Sequence, residues 1–160
     1  MNVVFISPHF PEYYHNFCSR LKDRGVNVLG VGDCPYDMIS DDTKNSLTEY
    51  YYVGSLENYD EVYRACAYFS SHYGKIDWIE SENEYWLELE ATLRRDFNVT
   101  TGPQIQDMRC MKFKSAMKEV YKSAGLKVAD YIKLDTLDEA LEFTKKNGYP
   151  VIVKPLSGFT

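Results

Sequence analysis

A chain of 160 residues holds one full domain and part of a second, and 44% hydrophobic with 26% charged residues is enough apolar content for an ordinary globular core. No apolar stretch reaches the roughly 18–20 residues of a membrane-spanning helix, and the start MNVVFISP has neither the basic segment nor the long apolar run of a secretory leader. Residues 1–100 carry a net charge of −9 and residues 101–160 a net of +3, so the acidic first part argues against nucleic acid or an anionic membrane as its partner. Cys18, Cys34, Cys66 and Cys110 form no CxxC pair and have no histidine at a metal-finger spacing, which indicates reduced thiols in a cytoplasmic protein. Fourteen tyrosines imply half-buried rings whose hydroxyls need partners.

Taken in chain order, Val3 to Ile6 predicts a first strand ending at Ser7-Pro8. Tyr14, Phe17, Cys18 and Leu21 follow at helical spacing, and Gly25 stops that helix. Val26 to Val31 predicts a second strand. A loop containing Gly32, Asp33 and Pro35, and also Asp41-Asp42, leads to a third strand at Tyr50 to Val53. Tyr59, Val62, Tyr63, Cys66 and Ala67 give one helix face, with Asn58 as its N-cap. Asp77 to Ile79 predicts a short fourth strand, and Trp86, Leu89, Leu93 and Phe97 mark one face of the next helix. This alternation predicts an α/β fold with a Rossmann-like parallel sheet and flanking helices over residues 1–102. Ligands on such sheets bind at the carboxyl ends of the strands, here Ser7 to Phe10 and Glu80 to Glu84.

Residues 103–160 read differently. Phe113, Ala116, Met117, Val120, Tyr121 and Ala124 predict a helix stopped by Gly125. Ala129 to Leu134 is strand-like, Thr136 to Glu139 matches a capping box, and the helix it opens ends at Gly148. Tyr149 to Val153 predicts one more strand. A helix–strand–helix–strand piece of this kind does not bury both faces of a two-stranded sheet, and is expected to be incomplete by itself.

The motifs that are missing narrow the chemistry. No GxGxxG follows the first strand, no GxxxxGK[ST] is present, an acidic phospho-acceptor is absent from the end of the first strand, and HExxH and GxSxG do not occur. The closing segment YPVIVKPLSGFT remains. A lysine at the end of a buried strand places its ammonium against a phosphate, and the small residues Ser157 and Gly158 let backbone N–H groups approach the same anion.

Three features in order, Gly102-Pro103, then Lys114 opening a helix that ends in Ala124-Gly125-Leu126, then Gly148 to Pro155 (GYPVIVKP), resemble the start of an ATP-grasp ligase. That superfamily includes carbamoyl phosphate synthetase and biotin carboxylase. The passage IESENEYWLELEATLRRDF followed by VTTGP is similar to the family's as well. The resemblance implies a pre-ATP-grasp domain over 1–102 and the beginning of an ATP-grasp domain, α+β and incomplete, over 103–160, cut off within the phosphate-binding loop. It further implies that Lys114 and Lys154, with Ser157 and Gly158, face the phosphates of ATP, Lys112 being the alternative to Lys114. Ser7, His9, Glu82 and Glu84 fall where family members place part of the acceptor substrate. The parent enzyme is then an ATP- and Mg²⁺-dependent ligase that activates a carboxylate as an acylphosphate for attack by an amine or another nucleophile. The 160-residue chain alone is expected to be inactive. Small-molecule carboxylates and amines are its implied partners, with self-association through the sheet or the final strand allowed. Two rivals from other classes stay open: a stand-alone small-ligand binding or regulatory module, and a subunit completed by a partner chain. Lys118 and Lys122 read as a solvated helix stripe.

Overall fold

Val4 and Ile6 project from one face of a strand and Phe5 from the other, and this two-residue alternation generates the two apolar layers of the first unit. The structure is a computed structural model and describes residues 1–155. Strands β1 (Asn2–Ile6), β2 (Asn27–Gly32), β3 (Glu49–Tyr52) and β4 (Trp78–Glu80) form a parallel sheet in the order β3-β2-β1-β4. Val4 pairs with Leu29 on one side and with Ile79 on the other. The Rossmann-like α/β class expected from the sequence is therefore what the chain adopts.

Helices α1 (His15–Lys22) and α2 (Asp41–Ser46) belong to the Phe5 side, where Tyr14, Cys18, Val28 and Leu47 are buried together. Helices α3 (Tyr59–Tyr73) and α4 (Leu87–Asp96) supply Val62, Cys66, Phe69 and Leu93 to the Val4 side. All four cysteines are free, and burial pushes the Cys18 and Cys66 thiols up to about 12, so neither is a ready nucleophile. Several tyrosine hydroxyls find partners, among them Tyr14, Tyr50 and Tyr59. Tyr68 and Tyr73 both donate to the Glu49 carboxylate, at 2.8 and 2.7 Å, which fastens α3 to β3.

Two local expectations for this unit are corrected. Asp41-Asp42 open helix α2, because Ser40 caps it by accepting from the Thr43 N–H at 3.2 Å and both acids favour its first turn. Asn58 stands at the N-cap of α3, but its side chain donates to Glu61 Oε1 at 2.8 Å and caps nothing.

A second unit begins at Gln106, the first being Met1–Ile105. It contains α5 (Met108–Lys112), α6 (Lys114–Ser123) and α7 (Leu137–Asn147). The capping box forms in full: Thr136 Oγ1 accepts from the Glu139 N–H while the Glu139 carboxylate accepts from the Thr136 N–H at 3.0 Å. The runs 129–134 and 149–153 were expected to be strands and are not. A β-branched run becomes a strand only when a neighbour completes its hydrogen-bond ladder, and among the described residues neither run is paired. Of the described apolar side chains in this unit, only Met108 is buried.

Phe69 is fully enclosed between α3 and the sheet. Phe69→Ala is expected to lower the stability of the first unit by about 3–5 kcal/mol, read as a fall in the urea midpoint at unchanged slope. An effect below about 1 kcal/mol would show that this layer is not a close-packed core.

Candidate functional site

The chain steps from β1 through β2 to β3 on one side of the sheet and then returns to place β4 on the other side of β1. The order reverses at β1, so the crevice beyond the carboxyl ends of β1 and β4 is where a parallel sheet leaves room for a ligand. Ser7 and His9 leave β1 there, and Glu82 leaves β4. The structure thus brings three of the expected substrate-side residues to adjacent strand ends. Glu84 lies further along, exposed in the first turn of a 3₁₀ segment, Glu84–Trp86. The concavity bordered by Met1, Asp77 and Thr101 lies at the opposite, amino end of the sheet, away from this chemistry.

Both strand exits are held in unusual backbone conformations. Ser7 and Glu82 each have φ of 56°, a left-handed region that side chains other than glycine enter at a cost of about 1 kcal/mol or more. Ser7 is fixed by its N–H to Val31 O at 2.8 Å and by its hydroxyl, which donates to Phe10 O at 3.2 Å. The hydroxyl therefore already serves the loop. Glu82 is held by Tyr14, whose hydroxyl donates to Glu82 O at 2.5 Å. The Glu82 carboxyl is exposed, and partial desolvation followed by the nearby Glu80 charge raises its pKa.

His9 approaches the end of β2. Its Nε2 lies 3.4 Å from Asp33 Oδ1, and among the described residues its buried Nδ1 has no hydrogen-bond partner. Burial lowers the His9 pKa against the opposing pull of Asp33, which favours the neutral ring. Gly32 makes this approach feasible, since a Cβ there would stand 2.9 Å from His9 Nδ1 and collide with the Tyr50 hydroxyl.

Beneath the β4 exit is a cluster that sequence reasoning missed. Glu90 and Arg94, one helical turn apart on α4, are both buried, 0% and 1% exposed. Arg94 Nη2 contacts Glu90 Oε2 at 3.0 Å and Glu80 Oε2 at 3.5 Å. Its Nε and Nη2 donate to Ile79 O, and Nη1 donates to Pro103 O at 2.8 Å. One guanidinium thereby joins the end of β4, helix α4 and the segment after it. Gly102, at φ of 75°, allows the close approach, because a Cβ there would lie 3.0 Å from Arg94 Nε. Glu80 Oε1 accepts from the N–H groups of Ser81 and Glu82 at 3.1 and 3.3 Å, and Ser81 donates to Glu90. The inward face of α4 therefore includes Glu90, Ala91 and Arg94 beside Leu93, whereas Trp86, Leu89 and Phe97 are only partly covered. The available signal was an acid four residues before an arginine, a pair able to neutralise itself on burial.

In the second unit, Lys114 is the half-buried first residue of α6, and Lys112 ends the preceding helix α5, separated from α6 by the extended Phe113. Lys112 closes a turn of its own. A cation in the first turn opposes the helix dipole, so helix stability does not account for Lys114. Lys154 is exposed at the end of the unpaired run. Ser157 and Gly158 lie outside the described residues. Lys118 and Lys122 are not simply solvated: both ammonium groups stand over the Tyr131 ring, at 4.5 and 4.9 Å from its centroid. Among the described residues no three His, Cys, Asp or Glu side chains converge to hold a metal ion, and no helix is long and apolar enough to cross a membrane.

No family model matches the sequence. One stretch of 85 residues, 53% of the chain, is 33% identical to an L-arginine-specific L-amino acid ligase of Bacillus subtilis and covers 20% of that protein. In fold, 98% of the chain matches 37% of the L-amino acid ligase of Bacillus licheniformis, with a TM-score of 0.69 at 17% identity. It likewise matches 35% of the biotin carboxylase domain of 2-oxoglutarate carboxylase from Hydrogenobacter thermophilus, crystallised as a dimer with MgADP, ADP and bicarbonate, with a TM-score of 0.65 at 22% identity. The chain thus spans between a fifth and about two fifths of the length of these relatives.

Removing Arg94 leaves Glu90 buried without its counter-charge. Glu90 is already pushed up to about 7, first by burial and then by Glu80. A carboxyl raised in the folded state favours folding most at pH below its unfolded value and loses that contribution as pH rises through its folded value. Arg94→Ala raises Glu90 further, so its cost is expected to be about 3–5 kcal/mol at pH 8 and clearly smaller at pH 5.5, where the carboxyl is protonated with or without the arginine. Denaturant unfolding at the two pH values measures this; an equal loss at both would mean Glu90 is not the group left uncompensated.

Proposed function

We propose that this chain, which has the fold of the N-terminal part of the ATP-grasp ligases, is that part of an ATP-dependent carboxylate ligase acting on an L-amino acid. The observation that carries the proposal is a convergence. A sequence relative and a structural neighbour, alike by different criteria, are both L-amino acid ligases.

The first unit supplies the acceptor side in this scheme. Ser7 shapes the loop through its bond to Phe10 O, leaving His9 and the exposed Glu82 carboxylate to address polar groups of the substrate; Glu84 stands at the rim. A neutral His9 is suited to accept or donate a hydrogen bond without adding charge to an acidic surface. The second unit supplies cations. Lys114 and Lys154, with Ser157 and Gly158, would face the phosphates, where positioning and charge neutralisation are most of what phosphoryl transfer requires. When bound, ATP provides the phosphoryl group that activates the carboxylate, and Mg²⁺ the compensating charge. In this scheme the two lysines contribute one wall of a nucleotide site; among the described residues no carboxylate set for Mg²⁺ is present.

Isothermal titration of the 160-residue chain with Mg-ATP is therefore expected to show no micromolar binding, and a micromolar Kd would overturn the one-wall assignment. In the longer polypeptide that a ligase requires, Lys154→Met is expected to lower amino-acid-dependent ADP release by about 10²-fold or more. ADP release that is unchanged by Lys154→Met, or that does not depend on an amino acid, would sink the ligase reading.

A further inference from the structure

The ring and the hydroxyl of Tyr14 do different things. The ring is buried with Phe5, Cys18, Val28 and Leu47, and it meets Phe5, Tyr13 and Phe17 edge-on at centroid separations of 6.0, 5.3 and 6.4 Å. A phenylalanine would fill the same place. The hydroxyl leaves this apolar layer and donates to Glu82 O at 2.5 Å, 68 residues further along the chain. Burial raises the Tyr14 pKa first, and Tyr13, Glu82 and Glu90 add to this, so the group stays a donor.

Glu82 is exposed, and water is able to serve its carbonyl, so burial does not demand the Tyr14 bond. What the hydroxyl adds is direction. The other hydrogen bonds of this loop are local. Glu82 N–H reaches Glu80 at 3.3 Å, Asn83 N–H reaches Ser81 Oγ at 3.1 Å, and the Tyr85 and Trp86 N–H groups both reach Asn83 at 3.0 Å. These hold the loop to itself and, through Ser81 and Glu90, to α4. The peptide after Glu82 is gripped at its N–H end by Ser81 and at its carbonyl end by Tyr14, and the second grip comes from the β1 side of the crevice. A left-handed residue is defined by both of its backbone torsions, and the direction of its carbonyl expresses the second of them. The tie therefore opposes the strain at a φ of 56°.

The Glu82 side chain gives nothing back to the fold. Among the described residues its carboxylate accepts no hydrogen bond and pairs with no cation. Arg94 is already committed to Glu80, Glu90, Ile79 O and Pro103 O. We propose that Tyr14 is a positioning residue, whose hydroxyl sets the Glu82 backbone so that this carboxylate is presented to the positively charged group of an amino-acid acceptor. That the acceptor is an amino acid rests on the ligase reading above; the control of Glu82 by Tyr14 does not.

NMR of the 160-residue protein tests that control. A left-handed residue brings its amide proton and Hα close together, so Glu82 is expected to show a strong intraresidue amide–Hα cross-peak. Tyr14→Phe should weaken it and leave unchanged the same cross-peak of Asn98, left-handed elsewhere at a φ of 53°. An unaltered protein without the strong Glu82 cross-peak, or a Tyr14→Phe protein that keeps it, overturns the proposal. So does a Tyr14→Phe chain that fails to fold, because the hydroxyl would then belong to folding. In the longer polypeptide, the proteinogenic L-amino acid that best supports ADP release serves as the probe. Tyr14→Phe is expected to raise its KM about tenfold and to leave the KM for ATP where it was. In a Glu82→Gln background the same change should have no more than about a twofold effect, since Tyr14 acts through Glu82. Equal factors in the two backgrounds overturn the positioning role while the ligase reading stands. ADP release with none of the amino acids removes the ligase reading, and the NMR result still decides whether Tyr14 sets Glu82.

Discussion

A guanidinium taken out of water has to find acceptors for all of its N–H groups inside the protein, and Arg94 finds them at the one place where three segments meet. Its partners are the Ile79 carbonyl at the end of β4, the carboxylates of Glu80 and Glu90, and the Pro103 carbonyl after α4. The Arg94–Glu90 pair is sealed from solvent on both sides, 1% and 0% exposed. Ile79 and Glu90 are buried and Glu80 and Pro103 half-buried, and together they fix the end of β4, helix α4 and the segment after it. The direction in which β4 releases the chain, and so the position of Ser81 and Glu82, follows from that anchor. A buried pair of this kind is weak evidence for added stability, since well-packed apolar residues often do as well. Its effect here is geometric.

The two strained residues show what the anchor is working against. Ser7 and Glu82 both occupy the left-handed region, and each is held there by a hydrogen bond that its own loop does not supply by default. Val31 O holds Ser7 across the sheet, and the Tyr14 hydroxyl holds Glu82 across the switch point. Tyr14 is itself set by edge contacts with Phe5 and Phe17. An apolar layer on one face of the sheet is thus connected to a backbone carbonyl at its carboxyl edge, and packing energy from the core is used to position a polar loop.

Where apolar pattern and structure share a cause, the sequence was legible. The runs that became β1 and β2 are branched, buried on both faces and central in the sheet. The Thr136–Glu139 box closed as its spacing requires. Helix α2, with the sequence DDTKNS, has no apolar period to detect and owes its existence to the Ser40 cap and to burial of Thr43 and Ser46. The segments at 129–134 and 149–153 failed in the opposite sense, because β-propensity belongs to one strand whereas a ladder belongs to two. At the site, the strand ends carrying Ser7, His9 and Glu82 followed from topology alone. Glu90 and Arg94 did not, since a charged residue on a helix is ordinarily assigned to solvent, and only the pairing of the two makes burial affordable.

Charge divides along the chain as the fold does. The first hundred residues are acidic by nine charges, and Asp33, Glu80 and Glu82, counted among them, lie at the strand ends. A polyanion such as a triphosphate gains nothing by approaching such a surface, whereas a substrate carrying an ammonium group does. The last sixty residues are basic by three charges and hold Lys114 against the dipole of its own helix. On the ligase reading proposed above, a cationic group and an anionic one have to enter a single reaction without either occupying the other's place. Assigning opposite fields to two successive units is a direct physical way to keep them apart.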